Sequence, residues 1–263
     1  MGCEGYRVSG RRRVPGYGGE VTFPTASPAP RRQRLAFVVG VVGEILITLG
    51  VVVLLFLGYQ IWWTDVVSNR LAGQLAGQLT TEWSDGRGGA PGFGPNGLPE
   101  ELTVAPTDNT AFGLVYIPKL RSKVWGLPLV QGDTLTQLAE GMAHYPGTAM
   151  PGQVGNFAMA GHRMTHGARL SNVDHLVAGD YVVVRTKDWW YVYVLDRHTI
   201  VSPYDWWVVD PVPGKPGAKP TQAIMTMTTC NPRWQAIERW VWWGHLKNKL
   251  PARGGLQPAE LAG

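Results

Sequence analysis

The sequence is poor in cysteine, and the stretch able to fold carries no surplus of charge. Only Cys3 and Cys230 occur in 263 residues. They lie on either side of a long apolar run, so a disulfide between them would have to cross it. Cys230 is therefore read as a lone free thiol. No second cysteine stands near it, which excludes a structural zinc site. No carboxylate cluster has calcium-loop spacing either, so neither metal nor cofactor is expected. The net charge of +5 suggests a polyanionic partner, but its distribution removes the suggestion. Residues 1–34 hold seven arginines against Glu4 and Glu20, which accounts for the whole excess, while residues 35–263 hold 17 basic and 17 acidic side chains. No nucleic-acid partner is expected. Met1-Gly2 does not open a myristoylation signal, because position 6 is Tyr rather than Ser or Thr.

What the N-terminal region does have is a run of 23 residues, Leu35 to Leu57, apolar except for Glu44 and Thr48. That length spans a bilayer. The arginine-rich stretch before it predicts an N-terminus on the cytoplasmic side. Tyr59, Trp62 and Trp63 follow at the outer end, where interfacial aromatics belong. No clean small-residue cleavage site follows, so the run reads as an uncleaved signal anchor. Glu44 is costly inside a membrane and calls for protonation or a partner.

The sequence divides into a disordered basic cytoplasmic tail (1–34), a transmembrane anchor (35–61), an extracellular helix with a Gly/Pro-rich linker (62–101), a folded domain (102–250) and a C-terminal tail (251–263). Val67, Leu71, Leu75 and Leu79 recur every fourth residue and form one helical stripe. Eight Gly or Pro residues between 84 and 97 mark the linker.

Beyond residue 102 the signals are mainly β. Short apolar runs at 112–117, 124–130 and 156–160 are bounded by Gly and Pro. Residues 180–186 and 190–195 flank Lys187-Asp188 as a hairpin. Residues 134–142 have helical spacing, with Thr134 at the N-cap. Strands over 222–229 and 236–243 complete about seven or eight, which suggests a barrel or sandwich. Nine of the twelve Trp lie in this region, and the pairs Trp189-Trp190, Trp206-Trp207 and Trp242-Trp243 cannot all point inward on strands.

Cys230 ends one of these strands and Arg239 lies in the next, so a thiol and a guanidinium meet at one sheet edge. A nearby cation favours the thiolate, and arginine can hold the oxyanion of a tetrahedral intermediate. The alternative from spacing alone is a buried structural cysteine beside a surface salt-bridge arginine.

Thr226-Met227-Thr228-Thr229-Cys230 resembles the sortase signature Thr-Leu-x-Thr-Cys, with Met at a packing position. Gly161-His162-Arg163 is similar to the segment bearing the sortase histidine, and Arg239 to the sortase arginine. Residues 141–152 and 156–163 resemble the class E branch of high-GC Gram-positive bacteria. The resemblance covers roughly residues 112–250. It implies an eight-stranded sortase-type β-barrel with one or two short helices, preceded by a single transmembrane helix. It further implies a membrane-anchored cysteine transpeptidase. Such an enzyme cuts a C-terminal Leu-Ala-x-Thr-Gly or Leu-Pro-x-Thr-Gly sorting signal of secreted proteins between Thr and Gly. It then passes the acyl group to the amine of a lipid-linked peptidoglycan precursor. Cys230 would be the nucleophile, His162 the general acid and base, and Arg239 the oxyanion and substrate stabiliser. Thr229, His144 and Tyr145 are expected at the substrate groove. No Asp or Asn partner for His162 is identified, so a papain-like triad is not expected. Arg233 is assigned to the turn. Two other readings share this pattern: a catalytically silent sortase-like envelope binding protein, and a cysteine protease that resolves the acyl-enzyme with water.

Overall fold

A computed structural model describes residues 31–84, 98–252 and 255–262. Most of the expected basic tail and of the Gly/Pro linker lies outside these residues. The chain divides into two compact units, residues 1–54 and 55–263.

In the first unit the described residues belong to α1 (Arg31–Ser84). Leu35, Phe37, Ile45, Leu46 and Leu54 are all exposed there. A helix apolar on every side needs an apolar surrounding, and α1 is long and apolar enough to cross a membrane. This fits a single-pass anchor. No proline interrupts residues 31–84, so the helix runs on to Ser84 without the expected boundary near residue 62.

In the second unit, α1 docks on the barrel through a stripe that keeps Leu79 of the expected one and is shifted by one residue at its start. Ser68, Ala72 and Leu79 are buried, whereas Val67 and Leu71 are exposed. The small side chains at 68 and 72 allow the close approach. The Gly167 amide donates to Asp65 Oδ1 at 2.7 Å, and Arg169 donates to Asn69 Oδ1 at 2.6 Å and to the Ser68 carbonyl at 3.2 Å. The segment 65–83 is thus part of the folded unit rather than a free spacer. So are Pro99 and Glu101: the Trp189 indole donates to the Pro99 carbonyl, and Glu101 pairs with Lys249.

Eight strands form a closed barrel in the order β1-β2-β3-β4-β7-β8-β6-β5. They are β1 (Ala111–Tyr116), β2 (Trp125–Gln131), β3 (Met142–His144), β4 (Gly155–Ala160), β5 (Tyr181–Arg185), β6 (Trp189–Val201), β7 (Ala223–Asn231) and β8 (Glu238–Pro251). The β2–β3 and β4–β7 pairs are parallel and the others antiparallel. Closure removes free sheet edges. The one α-helix among these strands, α2 (Leu135–Glu140), starts at Thr134, whose amide donates to Gln137 Oε1 at 2.9 Å. It stops at Gly141, where a Cβ would lie 2.1 Å from the Pro128 carbonyl oxygen. The chain then turns directly into β3, a strand whose three residues were too few for a periodic signal. β6 and β8 pair over most of their lengths, well past the apolar cores that announced them.

Alternation places Phe157, Met159, Met225, Met227, Tyr191, Tyr193 and Trp242 inside the barrel. The outer face is also partly covered, which resolves the tryptophan doublets. Trp190 packs outside against Leu261 of the C-terminal segment. Trp243 packs outside against Val208 of the β6–β7 loop and donates to its carbonyl at 3.1 Å. Both members of the 189–190 and 242–243 pairs are therefore buried, one on each side of the wall. The C-terminal tail folds back onto the barrel, with Glu260 3.0 Å from Lys247.

A chain starting at residue 62 is expected to melt about 5–10 °C above one starting at residue 102, because the latter loses the seat of Ala72 and Leu79 and both α1 partners of Arg169. Calorimetry of the two chains checks this.

Candidate active site

The last residues of β7 and the first of β8 face each other in fixed register: Thr228↔Val241, Thr229↔Trp240, Cys230↔Arg239 and Asn231↔Glu238. Met225 and Met227 point into the core, so Thr226, Thr228 and Cys230 point outward. Arg239 shares that outer face with Val241 and Trp243, which pack under the β6–β7 loop. β4 runs parallel to β7 on the other side, with Ala158↔Thr226 and Ala160↔Thr228. The register stops at Ala160, and His162 follows two residues later, as Cys230 follows Thr228 on β7.

Two bonds hold that extension in line. The Gly161 amide donates to the Thr228 carbonyl at 3.1 Å, and the Thr229 hydroxyl donates to the Gly161 carbonyl at 2.7 Å. Glycine at 161 leaves room for neighbouring side chains: a Cβ would sit 2.8 Å from Met142 Sδ and 3.0 Å from Leu170 Cδ1, so both would have to shift. Thr229 is buried, so its contribution is to hold the histidine turn in place and not to line the groove as expected.

Cys230 is partly exposed. The His162 ring stacks on His166 with centroids 5.0 Å apart. Its Nε2 is buried and has no hydrogen-bond partner among the described residues. Burial, then the neighbouring His166 and Arg169 charges, push its pKa down to about 4. The imidazole is consequently neutral at neutral pH. Arg239 Nη1 is anchored on the carbonyls of Ala236 at 2.9 Å and Glu238 at 3.0 Å. A guanidinium has five N–H donors, so the bonds from Nη1 leave those of Nε and Nη2.

Tyr145 is half-buried, and its hydroxyl shares a 2.8 Å hydrogen bond with Thr228 Oγ1, two residues from the thiol. Burial raises its pKa, and it feels the charges of Arg239 and Cys230. Its neighbour His144 does not reach this site. That corrects the expectation that His144 lines the groove: it has no exposed surface and stacks on Phe157. Its Nδ1 bonds Gln131 Oε1 at 2.7 Å, and its Nε2 lies 3.0 Å from both the Ala149 carbonyl and the Thr148 hydroxyl. Burial lowers its pKa. A core histidine with all its polar atoms engaged ties β2 to the β3–β4 connection.

Arg233 sits in the β7–β8 turn, 3.2 Å from Asp174 and bonded to the Ser171 carbonyl. Asn156 and Thr226 had no assigned role, yet they hold the β6–β7 loop over the outer face. Asn156 donates to the Asp210 carbonyl at 2.9 Å, and Thr226 donates to Asn156 Oδ1 at 2.8 Å. The available signal was an asparagine inside an otherwise small, apolar strand.

The Sortase domain model matches residues 115–247, which contain all three aligned residues. The chain is 36% identical over 229 residues to Sortase SrtE1 of Streptomyces coelicolor. The chain belongs to the sortase family. The SrtE1 match covers 84% of this chain and 60% of that protein. Sortase SrtE2 of the same organism is 35% identical over 234 residues, covering 84% of this chain and 87% of its own length. The crystal structure of Sortase E1 from Streptomyces coelicolor with a tripeptide in the active site is 33% identical, with a TM-score of 0.53 over 58% of this chain and 97% of that one. Among sortases, this one is most like class E. The chain spans about three-fifths of the length of the first of these relatives.

Two stability predictions follow from the histidines. His144→Ala takes from Gln131 Oε1 and from the Ala149 carbonyl their imidazole partner and should cost about 3 kcal/mol in urea unfolding. For His162, the folded pKa lies below the unfolded one, so between about pH 6.5 and about pH 4 the unfolded chain binds the extra proton. Stability at this site is complete above pH 6.5 and falls as the pH drops towards 4. His162→Asn should flatten the decline of the melting temperature between pH 7 and pH 4.5.

Proposed function

We propose that this sortase is a membrane-anchored cysteine transpeptidase that cleaves a Leu-Ala-x-Thr-Gly or Leu-Pro-x-Thr-Gly sorting signal between Thr and Gly. It transfers the secreted protein to the amine of a lipid-linked cell-wall precursor. The observation that carries this reading is the Cys230↔Arg239 pairing on one face of adjacent strands, with His162 two residues beyond the last β4–β7 pair, Ala160↔Thr228.

The chemistry follows from that arrangement. Cys230 Sγ attacks the threonine carbonyl carbon, and its proton passes to the neutral His162 imidazole. The carbonyl oxygen becomes an oxyanion facing the Arg239 guanidinium. The C–N bond to glycine then breaks, and the imidazolium gives its proton to the leaving amine. A thioester remains on Cys230. The incoming amine attacks that thioester, His162 accepts its proton, and the amide product forms as the thiol is regenerated. Tyr145, bonded to Thr228 beside the thiol, borders the acyl part of the signal.

The span beginning at Leu35 would hold the catalytic unit at the outer membrane surface, with the arginine-rich residues inside. Tethering of enzyme and lipid-linked acceptor to one bilayer raises their effective concentration.

Intact mass spectrometry of the protein with a Leu-Ala-x-Thr-Gly peptide should reveal an adduct on Cys230 that lacks the Gly-side fragment. The adduct should convert to amide product when diglycine is added. Cys230→Ala should form no adduct. Arg239→Ala should acylate on the order of a hundredfold more slowly. An adduct that only hydrolyses would make the enzyme a protease. A thiol that alkylates but never acylates would favour a barrel that only binds.

A further inference from the structure

Each of the three aligned residues has an immediate neighbour in sequence that points to the opposite side of the barrel wall: Arg163 beside His162, Asn231 beside Cys230, Glu238 beside Arg239. On that reverse side they join one another. Arg163 Nη1 donates to Asn231 Oδ1 and, at 3.4 Å, to the Cys230 carbonyl. Asn231 Nδ2 donates to Glu238 Oε2 at 2.7 Å. Arg163 and Asn231 are 6% and 7% exposed, so the bond between their side chains is formed away from water. The Arg163 guanidinium also lies 5.3 Å above the Trp240 ring, and its Nη2 is 3.7 Å from Asp174.

We propose that Arg163, Asn231 and Glu238 form a clasp that sets the mutual positions of Cys230, His162 and Arg239, and that they act on the reaction as positioning residues. The inference rests on the catalytic reading of those three residues given above.

The physical need is specific. Cys230 and Arg239 sit at the open ends of their strands, one ladder step from the turn, where strands fray. That turn is strained: Trp234 and Ala236 both adopt positive φ, 72° and 57°, without being glycine. The Asn231–Glu238 pair is the last step of the β7–β8 ladder, and its side-chain bond closes the turn behind the reacting pair. Arg163 ties the same point to the end of β4. Thr229 links β4 to β7 as well, but it does not reach β8. The three-strand connection therefore runs through Asn231, which uses its carbonyl towards one strand and its amino group towards the other. Asparagine suits this position because it offers an acceptor and a donor at opposite corners of one planar group.

That division of labour supplies the test, because the polarity of the second bond can be reversed at constant shape and charge. Asn231→Asp presents a carboxylate to the Glu238 carboxylate and breaks the bond. Adding Glu238→Gln restores a donor, now from the other strand. Full-length protein in detergent micelles is compared as wild type, N231D, E238Q and N231D/E238Q. The acylation rate at saturating Leu-Ala-x-Thr-Gly peptide, the KM and the melting temperature are measured for each. N231D is expected to acylate on the order of 10- to 100-fold more slowly with little change in KM, since misplacement of reacting groups acts on the chemical step. The double variant is expected to return to within about threefold of wild type. A double variant as slow as N231D overturns the proposal. So does an N231D enzyme as fast as wild type, or a loss confined to KM.

Failure of the catalytic reading is separable. If wild-type protein forms no thioester, the same four proteins are compared by the rate of Cys230 alkylation with iodoacetamide. Slowing in N231D that is reversed in the double variant upholds the clasp around the thiol, and equal rates in all four overturn it.

Discussion

The register of three strands, β4 beside β7 beside β8, is the constraint on which the rest of this structure depends. A strand shows alternate side chains to opposite faces, so a one-residue slip would turn Cys230 into the barrel core and carry Asn231 outward. The same slip at β8 would bury Arg239 without a partner. The chain opposes it with paired choices. Met225 and Met227 fill the interior, Thr226 and Thr228 meet polar partners outside, and Gly161 lets the end of β4 lie close enough to accept the Thr229 hydroxyl.

The barrel also needs cover on its outer wall, because Trp190 and Trp243 stand there. The β6–β7 loop and the C-terminal segment supply it. The first of these covers also builds the site. Val208 and Asp210 offer carbonyls to Asn156, Thr226 and Trp243, so the loop that buries an indole also borders the face on which Cys230 and Arg239 lie. Packing and function share the same residues, and an apolar strand pattern read as core alone describes half of what those positions do.

Electrostatics divides the two sides of the wall. On the outer side His162 is held neutral by burial and by the Arg169 charge, beside a partly exposed thiol. On the inner side Arg163 is surrounded by Asp174, the Asn231 carboxamide and the Trp240 ring, and burial lowers its pKa without removing its charge at neutral pH. A fixed cation behind the Cys230 carbonyl and a neutral imidazole on the opposite face are consequences of one alternation.

Chain order and local chemistry determined much by themselves. The Thr226-to-Cys230 motif ends a strand because its residues are β-branched or apolar up to Asn231-Pro232. Arg239 falls on the next strand at a spacing that brings it opposite. Gly161-His162-Arg163 follows a run of small residues. The Leu35–Leu57 run announces its length and polarity without any partner. Tertiary structure alone decided what depends on which wall face meets which neighbour. His144 and Tyr145 are adjacent in sequence, yet one is a fully enclosed core histidine and the other stands beside the thiol. Val67 and Leu71 begin the apolar stripe, yet at that end of the docked helix Ser68 and Ala72 are the residues buried, because smaller groups permit closer contact. Arg163, Asn231 and Glu238 are 68 and 7 positions apart along the chain and carry no periodic signal. They become a unit only when barrel closure brings the ends of β4, β7 and β8 together, since a hydrogen bond needs its partners within about 3 Å, a distance that sequence separation does not encode.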